Sequence, residues 1–296
     1  MTTKPSLGFV GAGRVGQALV LAFSQRGYNI LGIASRDAST AERLKEKAHA
    51  QSAGADGSSF SKSTDVLFLA VPDQAIKGVC DGIAGKGGFR KGQVVAHTSG
   101  ALSAGILVSA KMYGASTLAF HPLQSFSGGD QGTASLLSGI YFVLQGDGEA
   151  VEVGKDLAHA LDGFPVVIGE KGKALYHAGA SLLSNGLVAL VREGTRMFAE
   201  AGIKPEEAVS MALPLLRGTI FNMEQGGVLE ALTGPIERGD TETVKVHLKA
   251  LADEYPDGLC FYRLLGMAIL KAAQEKGNVS PAAQAELSHI LEVSSV

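Results

Sequence analysis

The sequence predicts an α/β fold, a doubly wound parallel sheet followed by an all-α C-terminal domain, and three observations carry it. Up to about residue 169, short apolar runs alternate with amphipathic helical patterns; beyond it every pattern is helical. The apolar runs are continuous, as in strands covered on both faces. The first of them ends in a glycine-rich turn that leads directly into a helix. The domains are expected at residues 1–169 and 170–296.

Each element follows from its own residues. The run Leu7-Gly8-Phe9-Val10 is a first strand, residues 14–25 a helix, and residues 29–34 a second strand. Ser39-Thr40-Ala41-Glu42 has the form of a capping box, which opens a charged helix reaching about His49. The Gly/Ser-rich stretch 52–63 reads as loop with at most one weak strand. Apolar runs at 66–71, 94–97, 116–120, 140–144 and 165–168 supply further strands, with a helix at 149–161 between the last two. Alternation of this kind implies parallel pairing through right-handed crossovers. In the second half, residues 173–201, 205–224, 241–252, 256–276 and 281–292 all show helical periodicity, with Pro, Asp and Thr at the starts and Gly at the stops.

Composition excludes several classes of function. Lys and Arg number 26 against 29 Asp and Glu, and neither sign gathers into a block. A nucleic-acid surface would show a basic stripe, so no such partner is expected. The two cysteines, Cys80 and Cys260, are far apart and lack metal-ligand spacing. That argues against a disulfide scaffold or bound metal and suits a reducing compartment. With no secretory pattern at the start and no uninterrupted apolar run of about 18 residues, a soluble, cytoplasmic protein without a membrane partner is expected.

The turn Gly11-Ala12-Gly13-Arg14-Val15-Gly16 fits G-x-G-x-x-G between strand and helix, where the fingerprint of dinucleotide binding requires it. Gly11 would allow the tight turn, Gly13 the approach of a pyrophosphate, and Gly16 close helix packing, with the phosphates on free N–H groups. The second strand runs into Ser35-Arg36-Asp37. Ser35 and Arg36 favour the 2′-phosphate of NADP; Asp37 could hold the ribose of NAD or belong to the following turn. Val71 and Pro72, at the end of a later strand, should flank the cofactor, and Ser99 in His97-Thr98-Ser99-Gly100 should approach the nicotinamide. His121, in Phe120-His121-Pro122-Leu123, could orient a carbonyl or carboxylate. Lys173, His177, Ser181 and Asn185 recur every four residues on an otherwise apolar helix, a face able to supply a proton and hydrogen bonds. The cluster 232–240 is a connection between helices in which Asp240 or Thr241 can cap, and Arg238 could clamp a substrate carboxylate.

On residues 11–16, 97–100, 120–123, Tyr176-His177 with Asn185, and 232–240 with His247, the whole chain resembles bacterial Rossmann-like NADP-dependent oxidoreductases whose C-terminal helical half is a domain of unknown function. More distantly it is similar to ketopantoate reductase, pyrroline-5-carboxylate reductase and the β-hydroxyacid dehydrogenases. In ketopantoate reductase and the β-hydroxyacid group a Lys and an Asn one turn apart open the long helix; here His177 follows Lys173 by one turn and Asn185 lies further on. The resemblance implies an NADPH-dependent reductase of a small carbonyl or imine compound, carboxylate-bearing and ketopantoate-like by analogy. His177 would donate the proton, ahead of Lys173, while Ser181 and Asn185 hold the substrate. The alternatives are a non-catalytic NADP-binding sensor and, from the His-Pro pair at 121–122, an NAD-dependent dehydrogenase of the prephenate type. The strongly apolar helix beyond residue 181 would be poorly covered in one small helical domain, so a homodimer through the helical halves is expected.

Overall fold

The computed structural model describes residues 4–126 and 134–292. The first unit contains eight strands: β1 (Leu7–Val10), β2 (Ile30–Ala34), β3 (Ala53–Gly54), β4 (Val66–Leu69), β5 (Val94–His97), β6 (Ser116–Pro122), β7 (Tyr141–Gly146) and β8 (Phe164–Val167). Between them lie α1 (Arg14–Gln25), α2 (Ala38–Ala48), the single turn α3 (Ser58–Ser61), α4 (Asp73–Gly85), the short α5 (Val108–Lys111) and α6 (Gly148–Ala160). Then follow α7 (Lys173–Ser181), α8 (Leu187–Glu200), α9 (Pro205–Gly226), α10 (Thr241–Glu254), α11 (Pro256–Lys276) and α12 (Pro281–Leu291).

The strands form one sheet in the order β3-β2-β1-β4-β5-β6-β7-β8. Period-2 alternation sends Leu7, Phe9 and Phe68 to the face covered by α1, α2 and α6, and Val10, Leu67 and Leu69 to the face covered by α4 and α5. Both faces are therefore dry along β1, β4 and β5, which is why those runs read as continuously apolar, while Phe164, Val166 and Val167 of the edge strand β8 are exposed. A row of rings crosses the first face: Phe9 stacks on Phe68 at 5.0 Å, Phe68 meets Phe120 edge-on at 5.5 Å, and Phe120 meets Phe142 at 5.0 Å. Each fully buried ring contributes about 1.5–3 kcal/mol by burial.

Three expectations need correction. The sheet is not wholly parallel: β1 to β6 are parallel neighbours, but β7 pairs antiparallel with β6, with Phe120 opposite Leu144, and β8 runs parallel to β7. Among its described residues the β6–β7 connection holds a 3-10 turn, Ser135–Leu137, and no crossover helix. The second helix is capped by Asp37, whose carboxylate accepts from the Ser39 N–H at 3.0 Å, and not by Ser39. The long helix expected at 173–201 is interrupted by a π-helical turn at Leu182–Gly186. There the Ser184 hydroxyl donates to the Ala180 carbonyl at 2.9 Å, competing with the backbone ladder.

The compact units are Met1–Ser184 and Asn185–Val296. They divide later than the change of rhythm at residue 169 because Lys173 of α7 is buried and its ammonium donates to the Ser99 carbonyl of the first unit. The second unit has a small core of Ile236, Val244, Leu270, Leu287 and Leu291. No residue of α8 is buried, and the 22-residue α9 buries only Ala208 and Ala212. Glu170–Glu200 is long and apolar enough to cross a membrane by length and composition.

Candidate active site

The turn after β1 has the shape its glycines require. Gly11 has φ +109°, and a Cβ there would collide with the Ala70 carbonyl. Its N–H donates to Ala34 O at 2.7 Å, and Ala70 N donates to Val10 O at 2.7 Å, so β1, β2 and β4 pin the turn from both sides. A Cβ on Gly16 would strike the Gly11 carbonyl, which is how α1 comes to lie close to the turn. A Cβ on Gly13, the N-cap of α1, would meet nothing within 4 Å. The first turn of α1 carries neither an acidic residue nor a side-chain cap. Its free N–H groups border open space, so the residues present fit a dinucleotide pyrophosphate.

At the end of β2, Ser35 N donates to Gly54 O at 3.0 Å, and the residue is half-buried. Arg36 is exposed and forms no hydrogen bond or ion pair among the described residues. Asp37 is fully engaged. The Ser39 hydroxyl donates to one carboxylate oxygen at 2.7 Å and the Thr40 hydroxyl to the other at 2.6 Å, and these bonds hold its pKa down at about 2. Arg43 donates to both hydroxyls, at 3.2 Å to Ser39 and 2.8 Å to Thr40. Two guanidiniums thus stand near the end of β2 while the Asp37 carboxylate serves as a helix cap.

The second focus lies beyond β5 and β6. His97, the last residue of β5, is completely buried. Ser99 N–H donates to its Nδ1 at 3.2 Å, which leaves Nε2–H to donate to Ser103 O at 3.1 Å. Burial pushes its pKa down to about 4, so His97 is a neutral clamp for the loop. Ser99 closes the turn: its hydroxyl donates to Asp73 at 2.8 Å and accepts from the N–H groups of Ala101 and Leu102. Its carbonyl accepts from Lys173 Nζ at 3.0 Å. Lys173 is 1% exposed, and burial lowers its pKa to about 8 against the opposing pull of Asp73.

Around Gly100 three rings converge. A Cβ there would collide with His177 Cδ2 and come within 2.9 Å of His121 Nε2. The His121 and His177 rings meet edge-on at 6.0 Å, and Tyr176 stands edge-on to His121 at 5.7 Å with its hydroxyl 2.8 Å from Nδ1. Lys173 Nζ lies 5.8 Å from the Tyr176 ring centre. Burial, then Lys173 and the other histidines, drive His121 down to about 3, while burial raises Tyr176 to about 12. The cluster is therefore rich in donors, and His121 is neutral at ordinary pH.

A family model for a Rossmann-like domain matches residues 2–122, and one for a domain of unknown function, DUF2520, matches residues 140–269. The chain joins a Rossmann-like domain to a DUF2520 domain. Curated proteins give no sequence match. Among solved structures, a Thermotoga maritima protein shares 27% identity at TM-score 0.72, covering 92% of this chain and 99% of that one. A Bacteroides fragilis protein provisionally named an NADP oxidoreductase shares 21% at 0.68, covering 91% and 98%. A pyrroline-5-carboxylate reductase from Coxiella burnetii shares 16% at 0.61, covering 94% and 100%. The last two are likenesses of fold.

Of the residues singled out in the sequence, the Rossmann-like domain brings Gly11 to Gly16, Ser35, Arg36, Val71, Pro72, Ser99 and His121 to the C-terminal ends of the parallel strands. Lys173 and His177 join them from α7. Ser181 ends α7 half-buried. Asn185 is the first residue of the second unit, and Arg238 lies in a later loop of that unit, between α9 and α10. That loop is firmly built: Asp240 caps α10 through the Thr243 N–H at 3.0 Å, and Glu237 accepts from Asn278 at 2.6 Å. Reading the sequence missed Arg43, Gly100 and Tyr176 as site residues. Arg43 falls one helical turn after Ser39, and Tyr176 three residues after Lys173 on the same face, so helical spacing could have found both.

Proposed function

We propose that this protein is an NADPH-dependent oxidoreductase that reduces a small carbonyl or imine compound bearing a carboxylate. The observation that carries the reading is positional. The glycine turn after β1 and the Lys173–His177–His121–Tyr176 cluster after β5 and β6 lie at the same end of the parallel strands, where open α/β sheets bind ligands. Gly13 and the N-terminus of α1 would hold the pyrophosphate. Arg36 and Arg43, with Ser35, would hold the 2′-phosphate of NADPH, since Asp37 is committed to its cap. Bound NADPH would supply a hydride.

The chain's own residues do the rest. His177, at the rim over Gly100, donates the proton to the reduced atom. Lys173 fixes the Ser99 loop and adds positive potential where negative charge develops. Ser181 holds the substrate, and the roles of Asn185 in substrate binding and Arg238 as a carboxylate clamp rest on the sequence. The uncovered apolar helices of the second unit support assembly as a homodimer, because α8 buries no residue and α9 only two alanines.

Calorimetric titration with NADPH and NADH, alongside Arg36→Ala, tests the reading. NADPH preference that falls at least tenfold in the variant is expected, about 1.4 kcal/mol. Preference for NADH would return Asp37 to the ribose, and binding of neither would end the oxidoreductase reading.

A further inference from the structure

We infer that Tyr176 is a positioning residue: its hydroxyl fixes His121 as the tautomer whose Nε2–H faces the space over Gly100, a fixed donor for a carbonyl oxygen rather than for an imine nitrogen. The choice of substrate rests on the oxidoreductase reading; the tautomer does not. The Tyr176 hydroxyl and His121 Nδ1 are 2.8 Å apart, so one of them donates. A phenol is by far the stronger acid of the two, and an imidazole lone pair by far the better acceptor. The phenol therefore donates, which leaves the ring hydrogen on Nε2. That nitrogen has no hydrogen-bond partner among the described residues, and it borders the volume that a Cβ on Gly100 would fill.

The charged and titratable groups around His121 are Lys173, His177 and His97, with Asp73 beyond Ser99. All but Asp73 are donors or cations, and the Asp73 carboxylate is engaged by the Ser99 hydroxyl. Among these groups a cationic imine would meet an ammonium and no free carboxylate. A carbonyl meets the opposite situation. As its carbon accepts hydride, the C=O π pair moves onto oxygen, which takes its proton from His177. His121 Nε2–H stabilises the developing charge throughout and gives up no proton. Gly100 is what lets the two imidazoles close on one atom.

Long-range 1H–15N spectra of the full-length protein between pH 5.5 and 8 test the tautomer, with His121 assigned by its loss in His121→Gln. Expected is a neutral Nε2–H imidazole across the range. Tyr176→Phe should shift it toward a mixture with Nδ1–H and leave the His97 and His247 signals in place. A His121 found as Nδ1–H, titrating within that range, or indifferent to Tyr176→Phe overturns the inference. If Tyr176→Phe does not fold, the wild-type spectrum alone decides. None of this needs cofactor, so failure of NADPH binding is a separate result. Where NADPH binds, 2-oxo acids should turn over at least tenfold faster than cyclic imines. The reverse order, or turnover of neither, overturns the carbonyl assignment.

Discussion

Each unit of this chain holds a His–Tyr pair of the same geometry. In the first, His121 Nδ1 lies 2.8 Å from the Tyr176 hydroxyl, with the rings at 79°; in the second, His247 Nδ1 lies 2.8 Å from the Tyr262 hydroxyl, with the rings at 89°. Their surroundings differ. The first pair is half-buried between two strand ends and a helix that carries a buried lysine; His247 is exposed on α10. The same contrast runs through the whole molecule. The first unit has covered both faces of its central strands, leaving the edge strand β8 exposed, whereas the second leaves most of α8 and α9 uncovered. The same local bond is costly to lose only where its partners are withdrawn from water.

The contrast breaks most visibly at the uncovered helices. Val188 in α8 is 68% exposed in one chain. Val188→Asp should therefore be harmless to a monomer, but it would place a charge inside a dimer interface. We expect sedimentation equilibrium to show dimer affinity falling at least a hundredfold, about 3 kcal/mol. A wild-type monomer at micromolar concentration, or an unaffected dimer, would mean that the second unit tolerates its apolar surface alone.

Lys173 sharpens the other side. Its folded pKa of about 8 lies below its ordinary 10.5. The unfolded chain thus binds more protons between these values, and stability rises with pH across that window. Below pH 8 the cost of the buried cation is fully present. Lys173→Met should then stabilise the fold at pH 7 by roughly 1–3 kcal/mol in urea melts and flatten the alkaline rise. It should also cut turnover, since the Ser99 loop loses its tether. A variant less stable than wild type would show that the hydrogen bond to Ser99 outweighs the burial of charge. His97 and His121, held near 4 and 3, act at the acid end: stability falls as pH drops from about 6.5 toward those values.

A smaller effect is expected at the end of β2. Arg43→Ala should weaken NADPH binding about tenfold and leave NADH binding within twofold, the worth of one charge-assisted hydrogen bond. Equal loss for both would place Arg43 in holding the Asp37 turn instead.

Most strands and helices were legible because each depends on its own residues: an apolar run of four or five for a strand, Pro or Asp for a helix start. Legibility failed where the cause was remote. Residues 140–144 read as a strand whichever way they point, and the reversal of β7 depends on what lies between it and β6. The π turn at Leu182–Gly186 hides in an unbroken apolar pattern. At the site, the glycine turn was readable because Gly11 and Gly16 have separate steric reasons and Gly13 leaves open space at the start of α1, all at positions the spacing marks. Gly100 was not, since its reason is two imidazoles brought from residues 121 and 177. Asp37 was open in the sequence between ribose and turn, and only the hydroxyls of Ser39 and Thr40 show where its carboxylate goes.

Loss of one hydroxyl from each pair tests the two pairs directly. Removing the Tyr176 hydroxyl leaves an acceptor on a half-buried ring held between strand ends and α7. Tyr176→Phe should cost about 1–3 kcal/mol in urea unfolding, the penalty of an unpaired buried polar group. Tyr262→Phe removes the same bond from an exposed histidine, where water takes the vacated place, and should cost about 0.5 kcal/mol or less. NADPH affinity should be unchanged in Tyr262→Phe. Equal costs would mean that the two pairs share more than geometry, and that His247 is covered in the assembled protein. Repeating the Tyr262→Phe measurement in Val188→Asp then separates the cases: a cost that falls away with the dimer belongs to the interface, and one that persists belongs to the pair itself.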